Sequence, residues 1–374
     1  SSVAAFSHFG MNEGVLARLP MTDSAGVDFE LEEALTSIPS ISLVLDAEVM
    51  FDPVDGLHVN ARRRGRAWER NVSFEVIDPV MGSEVQANCG LRMHGGWNRF
   101  PEMLKKSFRL YFRSEYGDSK LRYAMFPRSE IEEFDRLILR SGNGKAWASP
   151  WRALSGNGNS LVRVTYMRDQ IVRDFQATTG NHAIPGTFMH LYINGHYWGL
   201  YNPVERPTEH FAAARFGGDE DEYDVIKWVR GAGHQVSAGD DVAWNQLIGL
   251  VRGNVLNSTT FEAIRELLDL ENFADYIVVN HFAGNSDWID NNVYSMRRRL
   301  AGERFRFYCW DSEESFLSVG TDVSDRNVND TCSEIHMALR GHPEYRQLFA
   351  DRVQRHFFNE GALTFGKTSA VLDF

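Results

Sequence analysis

Three residues late in the chain have the types and spacing that phosphoryl transfer needs. Asp287 stands five positions before Asn292 in the run Asp287-Trp288-Ile289-Asp290-Asn291-Asn292. A hairpin pattern follows, Val293 to Met296 and Phe305 to Trp310 around Ala301-Gly302, and it delivers the chain to Asp311. Moving a phosphoryl group takes a carboxylate beside the accepting hydroxyl and oxygen ligands for a divalent cation. Asp287 suits the first task, and Asn292 and Asp311 suit the second. The Asp-x4-Asn spacing alone is common by chance; the hairpin and the terminal Asp give it content. The plain alternative is that Asp287 and Asn292 only make Asx-turn hydrogen bonds.

Upstream residues fit the same chemistry in the same order. Gly90 to Gly96, with Gly95 and Gly96 at its end, would let backbone N–H groups approach phosphate oxygens. Lys105 and Lys106 lie on the next strand pattern. In alternation Lys106 shares a face with Phe108 and Leu110, and a lysine on an inward face is costly unless paired. Lys106 is therefore the expected phosphate-binding lysine, with Arg92 and Arg140 adding positive charge. Asp169, near the start of a helical pattern, is the candidate acidic partner of the lysine, although acids there also suit the helix dipole. Glu205 sits where a hinge to a second lobe would lie.

The elements that must position these residues follow from periodicity. Ser40 to Leu45, Asn71 to Ile77, Cys89 to His94, Lys105 to Phe112 and Phe134 to Arg140 alternate or are β-branched and predict strands. A Gly/Asn/Ser-rich loop then runs to about Asn159. Tyr166 to Thr178 has helical spacing. Met189 to Tyr201 predicts a hairpin turning on Asn194-Gly195, a type I′ signal. Beyond Pro207 the composition predicts helices, with the hairpin before Asp311 set among them. The expected organisation is an N-terminal extension (1–38), a strand-rich lobe (39–206) and a helical lobe (207–374). The fold class is α+β.

Bulk composition narrows the partners. The chain has 374 residues, 43% hydrophobic and 24% charged, with net charge −12. That balance disfavours nucleic acid bound through a broad basic surface. Arg62-Arg63-Arg64, Arg297-Arg298-Arg299 and the acidic run Asp219 to Glu222 are expected to be solvated charge. Cys89, Cys309 and Cys332 make no zinc spacing, and one disulfide or three buried thiols both remain open. No apolar run is long enough to span a bilayer.

These motifs together resemble the spore-coat protein H (CotH) kinase family. The matching stretches are Gly90-Leu91-Arg92-Met93-His94-Gly95-Gly96, Lys105 to Leu110, Leu137 to Arg140, Arg168-Asp169, Ile193 to Tyr201 with Glu205, Asn285-Ser286-Asp287 with Asn292, and Trp310-Asp311. The resemblance implies an atypical protein-kinase-like, two-lobed fold that uses ATP and Mg²⁺ or Mn²⁺ to phosphorylate Ser or Thr of a protein substrate. By the same resemblance Asp287 is the catalytic carboxylate, and Asn292 and Asp311 are metal ligands. Lys106 is the phosphate-binding lysine. Family members are tied to spore coats, cell surfaces and secretion, so an extracellular or cell-surface location is implied.

The chain departs from the family in two places. Where the family often has Trp-Asp-x-Asp, it has Trp310-Asp311-Ser312-Glu313. Glu313 keeps the charge but reaches one methylene further, as a third metal-ligand candidate. The stretch Trp97 to Leu104 lacks the Ser/Thr-rich character often seen before the lysine. Three functions therefore stand: a kinase, a non-catalytic surface or coat-assembly module, and a carboxylate-pair hydrolase built on Asp287 and Asp311. Transfer of AMP in place of a phosphoryl group is a variant of the first.

Overall fold

The computed structural model describes residues 21–22, 28–79, 81–142, 165–253 and 257–372. The expected loop up to Asn159 falls mostly outside them. The chain divides into two compact units, residues 1–165 with 186–206 and residues 166–185 with 207–374.

The first unit is built on seven strands, β1 (Ser40–Val44), β2 (Arg70–Asp78), β3 (Ser83–His94), β4 (Ser107–Tyr111), β5 (Arg136–Arg140), β6 (Met189–Ile193) and β7 (His196–Val204). They close into a barrel in the order β6-β7-β5-β4-β3-β2-β1. Every neighbour is antiparallel except the closing pair, where β6 runs parallel to β1 with His190 opposite Ser40. Alternation decides what faces inward: Ile41 and Leu43, Val72, Phe74 and Val76, and Phe108 and Leu110 all lie in one apolar core. The Asn-Gly turn forms as expected, with Asn194 and Gly195 at φ +51° and +76°, the left-handed pair that a type I′ hairpin requires. Asn194 also helps to close the barrel. Its side chain accepts from the Leu45 N–H at 2.9 Å and donates to the Leu45 carbonyl at 2.7 Å. A closed sheet leaves no unpaired edge, which sequence alternation alone could not reveal.

The second unit holds helices α1 (Arg168–Thr178), α2 (Glu209–Phe216), α3 (Val242–Val251), α4 (Ser258–Arg265), α5 (Leu270–Ala283), α6 (Cys332–Leu339), α7 (Pro343–Phe357) and α8 (Phe365–Leu372). Among them lies a four-stranded antiparallel sheet in the order β9-β8-β10-β11, formed by β8 (Tyr223–Val229), β9 (Gly233–Ala238), β10 (Tyr294–Arg298) and β11 (Arg306–Tyr308). The mixed α+β class is therefore observed.

Two expectations change. Helix α1 was assigned to the strand-rich lobe, yet residues 166–185 group with the second unit. Its apolar stripe Ile171, Val172 and Phe175 joins the core that contains Trp244, Tyr276 and Phe307. Strands β8 and β9 stand where helices were expected. β8 is buried almost throughout and so shows little alternation; its pairing with β10, Tyr223 opposite Arg298 through Lys227 opposite Tyr294, decides its conformation.

Arg62-Arg63-Arg64 is exposed as expected, but the other two charge runs are paired rather than merely solvated. Arg298 meets Glu222 at 2.7 Å, and Arg299 and Arg297 meet the buried Asp224 at 2.9 and 3.7 Å. Asp219 and Glu222 form a capping box around their own short turn. All three cysteines are free and buried.

Candidate active site

The segment after α5 makes a tight loop. Gly284 ends the helix in the left-handed conformation, a common helix stop. Trp288 then anchors the loop, donating its indole N–H to the Tyr276 hydroxyl at 2.7 Å inside the core. Ser286 gives its N–H and hydroxyl to the Glu314 carbonyl, each at 3.1 Å. The loop carrying Asp287 and the segment following Asp311 are thus tied together.

Asn292 is the junction. Its Nδ2 donates to Asp287 Oδ2 at 3.0 Å and to the Asp311 carbonyl at 3.3 Å. The three residues singled out by spacing converge within hydrogen-bonding reach. They are partly exposed, as a site for a soluble ligand must be. The backbone is strained here: Ile289, Asn292 and Asp311 have φ of +96°, +61° and +57°. Asparagine and aspartate tolerate that region, whereas a β-branched isoleucine in it is an outlier. Such strain gathers at functional sites, where surrounding structure holds it in place.

Arg230, at the end of β8, was not expected. The register that sets Lys227 opposite Tyr294 carries Arg230 to the end of the sheet where the Asp287 loop emerges. Its Nη2 donates to Asp287 Oδ1 at 2.8 Å and to Asp290 Oδ1 at 3.0 Å, and its Nε donates to Asp290 Oδ2 at 2.9 Å. Hydrogen bonding to Arg230 holds the Asp290 carboxyl below its usual range, against the opposing effect of burial. Arg230 lies far from Asp287 in sequence, and no local pattern marks it.

Asp169 takes a different role from the expected one. It lies in the first turn of α1, 3% exposed. Its Oδ1 accepts the Ser312 N–H at 2.8 Å, and its Oδ2 lies 3.2 Å from buried Arg173. Further along α1, Gln176 donates to the Phe307 carbonyl at 2.7 Å and accepts the Cys309 N–H at 2.8 Å. The polar residues of α1 therefore bind the strand that leads to Asp311 and the residue just after it.

Asp311, Asn292 and Glu313 offer hard oxygen donors, which suit Mg²⁺ or Mn²⁺ rather than zinc. The Asn292 amide turns its nitrogen toward Asp287, leaving its oxygen as the donor. The Ser312 hydroxyl, beside Asp311, is fully buried and has no hydrogen-bond partner among the described residues. Among those residues no three His, Cys, Asp or Glu side chains form a complete metal cage. The residues fit the ion.

In the barrel unit, Gly95 has φ +98°, and an added Cβ would meet the Asn98 Cβ at 3.0 Å. Asn98 ties this turn to β4, accepting the Ser107 N–H and donating to the Lys105 carbonyl and the Ser141 hydroxyl at 3.1 and 2.8 Å. Gly96 has open space where its Cβ would stand. Lys106 is 1% exposed and donates to the Phe100 carbonyl. Burial lowers it to about 8, with Glu102 opposing. Lys105 exposes more of its side chain than Lys106, but its ammonium is the more desolvated: it donates to the Leu200 carbonyl and lies 4.6 Å from the Tyr201 ring, and burial lowers it to about 7.

Arg92 is committed elsewhere. Its guanidinium meets the buried Glu69 at 2.5 Å and covers the Tyr111 ring at 4.5 Å. Glu69 also receives Arg66 and Arg113 at 2.6 and 3.2 Å. The expected phosphate arginine is thus part of an internal ion cluster. Arg140, at the end of β5, is buried and acts on His94. Glu205 is buried after β7, shortly before the chain re-enters the second unit at Pro207.

A closed strand barrel and a helical unit that joins Asp287 and the Asp311 carbonyl through one amide define a mixed α+β protein with a carboxylate-bearing loop. A family model described as CotH kinase protein matches residues 91–363, and the chain belongs to the CotH kinase family. No curated protein matches it significantly.

Proposed function

We propose that the chain is an ATP- and divalent-metal-dependent phosphotransferase acting on Ser or Thr of a secreted, coat or surface protein. The observation that carries this reading is the Asn292 amide bonded to both Asp287 and the Asp311 carbonyl. Asp287 orients the accepting hydroxyl and takes its proton as the oxygen attacks. Asn292, Asp311 and Glu313 hold Mg²⁺ or Mn²⁺, which when bound neutralises phosphate charge. Lys106 with the Gly95-Gly96 turn binds phosphate oxygens, and Glu205 belongs to the hinge. On this reading the barrel unit serves as the nucleotide lobe and the helical unit as the catalytic lobe of an atypical kinase-like fold. A location outside the cell belongs to the same proposal and rests on the family alone.

A second reading, a non-catalytic surface or coat-assembly module, is favoured by one contact: Arg230 already neutralises Asp287. Thermal unfolding separates the two. The chain is heated with ATP, with Mn²⁺ or Mg²⁺, and with both. A ligand at 100 times its dissociation constant adds about 2.7 kcal/mol. The phosphotransferase reading expects a shift that needs both ligands and disappears in Asp311→Ala. No shift under any combination favours the non-catalytic module.

A further inference from the structure

The N-terminal end of α5 borders a cavity in the helical unit that phosphoryl transfer at Asp287 does not use. Its volume is about 640 Å³, and its walls come from the end of α1, from α4, from the start of α5 and from α7. Asp287 follows the other end of α5, a helix of 14 residues and therefore about 20 Å long. The chain entering β11 joins the same wall. Phe305 donates its N–H to the Leu267 carbonyl at 2.7 Å and accepts the Asp269 N–H at 3.1 Å, which sets Arg304 beside the cavity.

The floor is a compensated network. Asp275, 1% exposed, accepts from Arg352 Nε at 2.6 Å and from its Nη2, from His356 Nε2 at 2.7 Å and from Asn181 Nδ2 at 2.8 Å. Arg352 gives its Nη1 to Glu271 at 3.1 Å. These charges satisfy one another and hold the shape of the cavity.

The rim is different. Arg304 has its Nε buried without a hydrogen-bond partner among the described residues, and its Nη2 lies 3.9 Å from Glu266. Arg355, one turn beyond Arg352 on α7, is exposed and has no hydrogen bond or ion pair among the described residues. Arg265 pairs with Glu262 at 3.1 Å, but both are about half exposed, and such a pair contributes little. Arg265 and Arg355 stand in the last turns of their helices, where a cation suits the dipole; Arg304 precedes a strand and has no such cause. The acids of the rim do not offset these cations. Asp269 caps α5 and is met by Arg306 at 3.2 Å. Glu344 is the one rim acid without a partner among the described residues.

We propose that this cavity docks a peptide segment through an anionic side chain, a phosphoserine or a glutamate, held by Arg304 and Arg355. Guanidinium forks match phosphate and carboxylate oxygens two at a time. The cavity is far larger than either group needs, and Phe261 and Leu348 give it an apolar wall for the residues flanking the anion. On a chain of net charge −12, an acidic segment is repelled by most of the surface and finds its counter-charge here. The site stands apart from Asp287 and does not depend on the chemistry there.

Fluorescence anisotropy on the full chain tests the site with a labelled pentapeptide that has phosphoserine between leucines, and with the glutamate and serine versions of the same peptide. The expected result is binding of the phosphoserine or glutamate peptide and none of the serine peptide. Arg304→Met and Arg355→Met should each weaken binding about ten- to hundredfold. Glu344→Gln should tighten it, because a repelling charge is gone. All three variants should melt with the wild type, since none of these side chains makes a hydrogen bond among the described residues. A preference for phosphoserine assigns the site to phosphorylated segments, and equal binding of the glutamate peptide assigns it to acidic segments in general. Affinity unchanged in both arginine variants overturns the proposal, as does equal binding of the serine peptide or failure of every peptide to bind. Arginine-dependent docking by a chain that transfers no phosphoryl group leaves the site standing and removes the phosphotransferase reading. Transfer without docking does the reverse.

Discussion

Both carboxylate oxygens of Asp287 are engaged, one by the Asn292 amide and one by the Arg230 guanidinium. Two donors from different elements fix the rotamer of a half-exposed side chain better than packing could. Removing the carboxylate should lower kcat by about 10²- to 10⁴-fold in Asp287→Asn, the usual contribution of a general base, with the KM for ATP little changed. Arg230→Met leaves the carboxylate in place but frees it to move and leaves Asp290 uncompensated. Its kcat should fall by less than that of Asp287→Asn, and Arg230→Lys should recover part of the loss. Steady-state kinetics on the three variants checks this. An Arg230→Met enzyme with higher kcat would instead mark Arg230 as a brake on the site.

At the scale of the element, α1 has two faces with different duties. Ile171, Val172 and Phe175 pack into the helical unit's core. Asp169 and Gln176 hold the backbone around Asp311. Asp169→Ala removes the acceptor for the Ser312 N–H and the carboxylate that lies 3.2 Å from the fully buried Arg173. Losing one member of such a pair typically costs about 3–5 kcal/mol. Urea unfolding should show a loss of that order, together with a weaker metal-dependent thermal shift. A full-sized metal shift in a destabilised Asp169→Ala protein would confine α1 to a packing role.

Over the whole molecule, two ion clusters, one half-exposed around His234 and one buried around Asp275, make stability depend on pH. His234 lies between Asp330 and Asp241, at 3.1 Å from the latter. Burial lowers its pKa, but the bonds to Asp330 and then Asp241 outweigh burial and raise it. A raised folded-state pKa means the folded chain binds this proton more tightly than the unfolded one. The stabilisation is complete below the ordinary histidine value of about 6.5 and is lost as pH rises through the folded value. Asp275 behaves oppositely. Burial raises it, but His356 and Arg352 outweigh that and hold it below its usual range. Its contribution is present above about 3.9 and is lost as pH falls through the folded value. Urea unfolding of His234→Gln against the wild type, at acidic and alkaline pH, should show the difference shrinking as pH rises. A difference independent of pH would remove His234 from the account. Among the described residues no helix is long and apolar enough to cross a membrane.

The local grammar of the chain was legible in its sequence. Period-two alternation marked the strands from Ser40 to Arg140, and the Asn194-Gly195 pair marked its turn, because both depend on residues a few positions apart. The nearness of Asp287, Asn292 and Asp311 was legible for the same reason: a tight loop and a short hairpin preserve spacing in space. Tertiary structure alone decided the rest. Barrel closure depends on β1 meeting β6 across nearly the whole first unit. Arg230 reaches Asp287 only through sheet register. Arg92 proved to be neutralised by Glu69, and Asp169 turned to the Asp311 strand. Charge compensation is set by which side chains meet in three dimensions, and nothing in the order of residues along the chain encodes that directly.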